Sequence, residues 1–237
     1  MATAAITTEQ RDGVLIIHLD DGKANALSFD VIATIHEAID AAEADDAIGA
    51  MVIHGRPGRF CAGFDLGVMF GDDMSAIIDL VADGGALVQR LYGCSVPVVA
   101  ACTGHALAAG ALVLLGCDVR VGADIDAKVG LNEVAIKMVL PDWAFTISEA
   151  RLSKRQAQRA LANARITTPA EAIDVGFVDE VVSADEVLDR AIAIAAELAS
   201  TLDPSAYRRT IAKLRGPVLD LMAEQVASDR AGGVSPV

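Results

Sequence analysis

The sequence is short of positive charge. Lys and Arg number 19 against 33 Asp and Glu, a formal charge of −14, and no segment of the chain is basic. Neutralising a nucleic-acid backbone takes a basic surface, which excludes nucleic acid as a partner. A phosphorylated small molecule stays possible, because it needs only a few local cations and backbone N–H groups. Cysteine is also scarce: Cys61, Cys94, Cys102 and Cys117 form no CxxC pair and have no His at zinc-finger spacing, so four reduced thiols and no metal are expected. The opening "MATAAITTEQRDG" lacks the basic region and apolar run of a secretory signal, and a cytoplasmic location is the expectation. Linkers, internal sequence repeats and low-complexity runs are missing too, so 237 residues suit one large domain or a domain with a small appendage.

Apolar residues are plentiful, at 53% of the chain. The run from Leu91 to Cys117 carries no charge if His105 is neutral, long enough in principle for a membrane helix. Pro97, Thr103, Gly104, His105 and Gly110 divide it into "VPVVAAC", a turn "TGHA" and "LAAGALVLLGC". A buried strand, a turn and a buried helix fit this pattern better than a membrane span.

The rest of the chain reads as alternating strands and helices. Residues 14–19 are expected as a strand, and a helix follows from Ser28 as N-cap with Val31, Ile32, Ile35, Ala38, Ile39 and Ala42 on its apolar face. "GAMVIHG" is a buried strand, "RPGRFCAGFDLG" a loop, and a second helical region runs from about Met74 to Tyr92. "VPVVAAC" and "DVRVGA" supply further strands, in the order expected of a parallel sheet. Beyond Pro141 the chain turns helical. Thr168, Pro169, Glu171 and Gly176 spell a capping box, a first-turn proline and a glycine stop. Ser183 and Glu186 repeat the capping box, and "FVDEVV" between the two helices is a short strand or extended link. The last helical pattern starts at Pro204, is interrupted by Gly216 and Pro217, and ends in a disordered tail, "AGGVSPV".

Two segments share a form suited to chemistry. In "RFCAGFDL" and "GHALAAGALVLL" small residues allow the backbone close to a ligand, and free N–H groups at a helix start favour negative charge. Two such groups converging on one oxygen would make an oxyanion hole, worth about 3 kcal/mol per donor where an enolate forms. Glycines and alanines that merely permit tight packing are the plainer alternative.

The segments "HGRPGRFCAGFDL" and "VPVVAACTGHALAAGALVLLGCDVRV" resemble the two signatures of the crotonase superfamily, the enoyl-CoA hydratases and isomerases. "DGKANALS" resembles its first CoA-contacting segment, and "TTPAEAIDVGFVDEVV" its later helix and strand. The resemblance implies an α/β fold of repeated ββα-type units with a helical C-terminal region. Residues 1–200 would form the core for acyl-CoA binding and catalysis, and 201–237 a helical segment for trimerisation and CoA covering. It further implies that the N–H groups of Phe64 and Ala109 form the oxyanion hole, glycine being usual at Ala109. Lys23, Ala24, Ala26, Ala62, Asp65 and Leu66 would contact the CoA moiety, largely through the main chain, with Lys213 and Arg215 as further candidates.

Carboxylates separate the members of this family. Hydratases carry one glutamate two residues after the glycine triplet and a second about 20 residues later; this sequence has Leu112 at the first place and Glu133 at the second. Water addition is usually shared between two carboxylates, whereas moving a double bond from position 3 to position 2 needs one base. "VGLNEVAIKMVLPDW" resembles the matching segment of the delta3,delta2-enoyl-CoA isomerases, with "GLNE" and a like step from Glu133 to Pro141; Lys137 stands where a glycine is common.

Glu133 is therefore expected in an apolar pocket, its charged form disfavoured, with Asn132 as orienting partner. The reaction needs no separate cofactor, coenzyme A being part of the substrate, and the resemblance implies a homotrimer or hexamer. Two rivals stand beside the isomerase. One is a hydratase or related acyl-CoA enzyme that recruits another carboxylate such as Asp142, and the other is an acyl-CoA-binding protein without catalysis. Phe70 and Met74 are expected to end the acyl cavity. Cys61 has no base at nucleophile spacing, and His105 reads as a packed histidine more readily than as a pocket residue. His18, His36 and His54 make no metal pattern, and Asp72 and Asp73 suit a solvated loop or helix start.

Overall fold

The structure is a computed structural model and describes residues 5–232. Four times in succession two strands are followed by a helical segment. The first unit is β1 (Ile6–Arg11), β2 (Val14–Leu19) and α1 (Phe29–Ala44), and the second is β3 (Ala50–Gly55), β4 (Gly58–Cys61), the short α2 (Leu66–Met69) and α3 (Met74–Tyr92). The third is β5 (Val98–Cys102), β6 (Gly104–Leu107) and α4 (Ala109–Gly116). The fourth is β7 (Val119–Ala123), β8 (Val129–Gly130), a 3₁₀ turn (Glu133–Ile136) and α5 (Asp142–Arg151). Then come α6 (Ala157–Leu161), α7 (Pro169–Val175), β9 (Glu180–Val182), α8 (Val187–Thr201) and α9 (Pro204–Arg230).

The larger sheet has six strands in the order β1-β2-β3-β5-β7-β9, and β4-β6-β8 make a second, three-stranded sheet. Only β1 runs antiparallel. The central strands are covered on both faces, which is why they read as near-continuous apolar runs. Ile16, Val52, Val99 and Val121 pack under α8, while Ile17, Met51, Ile53 and Ala100 belong to the larger core with α1, α3 and α4. Ser28 caps α1 by accepting from the Val31 N–H, and Thr168 with Glu171 forms the expected capping box on α7.

Several local expectations change. "RPGRFCAGFDLG" is not all loop and "TGHA" is not a turn, because Gly58–Cys61 and Gly104–Leu107 pair as the parallel strands β4 and β6. A side chain at Gly104 would overlap the Gly58 backbone, so the two strands approach as closely as glycine permits. Neither segment alternates strongly, and the ladder exists only because the chain returns. Ile6–Arg11 forms an edge strand whose exposed, polar run hides it from a hydrophobic reading. The Ser183 hydroxyl does meet Glu186, but the residues between them form a turn and α8 begins only at Val187.

Gly216 and Pro217 do not break the last helix. α9 is continuous, with Ile211, Arg215, Met222, Val226 and Asp229 buried along one side, so packing overrides the local penalty. The tail expectation falls mainly on 233–237, outside the described residues. No helix among the described residues is long and apolar enough to cross a membrane.

Candidate active site

Two loops meet where the second and third units pass from strand to helix. Gly63, at φ +101°, takes a backbone shape open to few other residues, and a side chain on it would press against Ala108 and the Leu107 carbonyl. From the other side, a side chain at Gly110 would overlap the Cys61 carbonyl. These contacts bring the Phe64 and Ala109 N–H groups to one place. Neither donates a hydrogen bond among the described residues. Ala109 opens α4, so its N–H is one of those a helix leaves unpaired. Ala108 just before it has φ 52° and ψ −127°, a conformation alanine adopts only under strain of order 1–3 kcal/mol.

Phe64, Ala109, Ala62, Leu66, Asn132 and Glu133 line one cavity of about 330 Å³, together with Leu112, Val81, Leu140 and Trp143. Its inner end is buried: Trp143 is wholly enclosed, and Leu112, Leu140 and Val81 nearly so. The mouth carries exposed apolar side chains, Phe70, Leu66, Val139 and Ile136. Phe70 thus flanks the opening instead of ending the cavity, and Met74 is not on its lining. The wall from α3 is Val81, seven residues and about two turns further along the helix.

Glu133 begins the 3₁₀ turn and is 8% exposed. Its Oε2 has no hydrogen-bond partner among the described residues. Burial pushes its carboxyl up to about 7, against a smaller opposing pull from the backbone N–H groups of Glu133 and Asn132. The Asn132 carbonyl accepts from the Ala135 N–H at 3.0 Å and starts the turn. Lys137 closes it in the left-handed region, at φ 66°, the conformation that makes glycine the easier residue there.

Glu133 is the one carboxylate on the cavity among the described residues. Asp142 is exposed, lies off the lining and acts electrostatically on Asp229, so it is no second pocket acid.

The segment 20–28 lies beside the mouth. Ala62 N–H donates to the Ala24 carbonyl at 3.1 Å, Leu27 N–H to Gly63 at 2.8 Å and Asp65 N–H to Leu27 at 3.0 Å. Lys23 is exposed, while Ala24 and Ala26 are half-buried; none of the three touches the cavity itself. Asp65 also lies off it, and its carboxylate accepts from the Gly67 N–H at 2.7 Å to cap α2.

Two residues holding this segment escaped the sequence reading. Asp21 accepts from the N–H groups of Lys23, Asn25 and Ala26, and buried Asn25 donates to the carbonyls of Leu19, Arg59 and Phe60. The spacing Asp-x-x-x-Asn within a Gly-containing turn was the available signal.

Other candidates fall away. Arg215 is buried, 2.6 Å from Asp118, and donates to the Tyr92 carbonyl, so it is not a CoA contact; Lys213 is exposed. Cys61 is buried, with its thiol pushed up to about 12 by desolvation, which leaves no reactive thiolate. His105 lies on β6 and accepts from the Lys128 N–H at 2.9 Å, away from the cavity. His18 and His54 bond to each other at 2.9 Å, and no group of three or more metal-binding side chains gathers among the described residues. Asp73 caps α3 by accepting from Ser75 and Ala76.

A family model described as Enoyl-CoA hydratase/isomerase matches residues 9–231. Mouse mitochondrial enoyl-CoA delta isomerase 1 is 34% identical over 188 residues, 78% of this chain and 65% of that protein, so the chain spans just under two thirds of that relative. A probable enoyl-CoA hydratase of Bacillus subtilis is 30% identical over 208 residues, 84% of this chain and 77% of that protein. The crystal structure of an enoyl-CoA hydratase/isomerase family protein from Pseudomonas syringae matches with a TM-score of 0.92 at 36% identity, over 97% of this chain and 98% of that one.

Proposed function

The chain belongs to the enoyl-CoA hydratase/isomerase family of enzymes, and on that footing we propose that it shifts the double bond of a 3-enoyl-CoA to the conjugated 2-enoyl-CoA. One observation carries the choice: Glu133, its carboxyl oxygen unpartnered, shares the cavity with Leu112 and with no other carboxylate among the described residues. Adding water needs a second polar group to hold and polarise it, and leucine offers none. A binder without chemistry gains nothing from a buried, unpartnered acid.

In the proposed reaction the thioester oxygen sits between the Phe64 and Ala109 N–H groups. Glu133 takes the proton from carbon 2, and the electron pair moves onto that oxygen as a dienolate, which the two donors stabilise. The neutral Glu133 then returns the proton to carbon 4, leaving the double bond between carbons 2 and 3. One proton leaves and one comes back, so the balance calls on no redox group. Lys23, Ala24 and Ala26 on one segment, with Ala62, Asp65 and Leu66 on the other, are proposed to hold the CoA moiety. Assembly as a trimer, or a dimer of trimers, belongs to the same proposal.

The test is to mix the protein with 3-hexenoyl-CoA and follow the absorbance of the conjugated thioester. The wild type should give a rise, and Glu133→Gln should lower kcat by about 10²–10⁴-fold or more. Absence of any rise in the wild type, with calorimetry showing that the thioester binds, would rule the isomerase out for that substrate. Hydration of a 2-enoyl-CoA would then be the next activity to assay.

A further inference from the structure

Helix α3 carries two adjacent glycines, Gly84 and Gly85, in its middle. Each disfavours such a helix relative to alanine, because glycine gives up more backbone freedom on folding. Neither has a positive φ, so the backbone does not require glycine. What requires it lies outside the helix. A β-carbon on Gly84 would overlap the ring of Phe64. One on Gly85 would come within 2.8 Å of Cε2 and Nε1 of Trp143 and of a Val226 methyl on α9. The pair is a notch that seats two of the aromatic rings bordering the cavity, Phe64 and Trp143.

Trp143 forms part of the buried inner end. Its Nε1 edge lies in the notch, without an acceptor among the described residues, so the seat is one of shape and not of hydrogen bonding. Val226 packs on the same notch, and protein interiors are otherwise close-packed. An indole expelled from the notch therefore moves toward the cavity that it lines. We propose that Gly85, through Trp143, sets the length of acyl chain the enzyme accepts, acting as a positioning residue. This rests on the acyl-CoA reading of the cavity.

The experiment measures binding of saturated, unreactive thioesters from butyryl-CoA to dodecanoyl-CoA by calorimetry. Trp143 is the only tryptophan in the chain, so its emission independently reports whether a chain reaches the inner end. In Gly85→Ala the ratio of long-chain to short-chain affinity should fall about tenfold or more, since a methylene that no longer fits costs at least that much.

Trp143→Phe, with a smaller ring, should shift the ratio toward long chains, and Gly85→Ala with Trp143→Phe should restore it toward the wild-type value. A ratio unchanged in Gly85→Ala, or a fall that Trp143→Phe does not reverse, would overturn the proposal. If Gly85→Ala does not fold, Trp143→Phe alone decides: an unchanged ratio defeats the inference. A wild type that binds none of the thioesters would defeat the acyl-CoA reading itself, and the inference with it. Gly84→Ala separates the two seats: by displacing the ring beside the Phe64 N–H it should lower kcat at every chain length.

Discussion

At the scale of single residues, Glu133 shows what a buried carboxyl costs. Its carboxyl is pushed up to about 7 from an ordinary value of 4.5. Between those values the folded protein holds a proton that the unfolded chain has released, so stability falls as pH rises through that window. The full loss above it is about 3 kcal/mol. Glu133→Gln removes the titration while keeping the shape. It should be more stable than the wild type by up to about 3 kcal/mol near pH 8, the gap closing toward pH 4.5, as urea unfolding at a series of pH values would show. Activity should run the opposite way, because Glu133 must be ionised to act as the proposed base. The acid limb of the kcat profile is expected to rise through about 7, and a limb at the ordinary carboxylate value would mean that burial does not tune this group. The same trade is visible at Ala108, whose strained backbone precedes Ala109, the proposed oxyanion donor.

At the scale of elements, α9 is held by its surroundings more than by its own preferences. Pro217 lacks the N–H that would reach one turn back, yet the helix runs through it, packed along α3 and α5. Pro217→Ala should supply that bond and raise stability by about 1–3 kcal/mol, measurable as a shift in the denaturant midpoint without a change of slope. No gain would mean that a local bend at the proline is needed for the packing. The β4–β6 pair teaches the complementary lesson. Its residues are few and weakly patterned, so nothing local marks them as strands, and the facing glycines Gly58 and Gly104 at one end are what let the ladder close.

At the scale of the whole molecule, α9 lies against α3 and α5 of its own chain, and its Val226 helps to seat the indole at the inner end of the cavity. The C-terminal helix thus packs behind the wall of the cavity without lining it. Leu214 and Leu221, seven residues apart on α9, remain exposed in the single chain. A trimer should sediment at about three times the 24.5 kDa of one chain, and a stable species at the single-chain mass would refute the proposed assembly.

Some of this was settled by the sequence alone. Helix starts are written locally: Ser28 and the Thr168–Glu171 box carry their hydrogen-bonding partners within one turn, and buried parallel strands announce themselves as apolar runs. The place of Glu133, and of Leu112 where hydratases of the resembling family carry a second acid, was legible through the family resemblance of the motifs. Only the tertiary structure decided that Glu133 is enclosed with a carboxyl oxygen unpartnered among the described residues, that Asp142 lies off the cavity, that Arg215 belongs to a buried ion pair, and that a glycine pair in α3 receives two aromatic rings. Burial, ion pairing and empty volume are made jointly by segments far apart in the chain, and no local pattern encodes them.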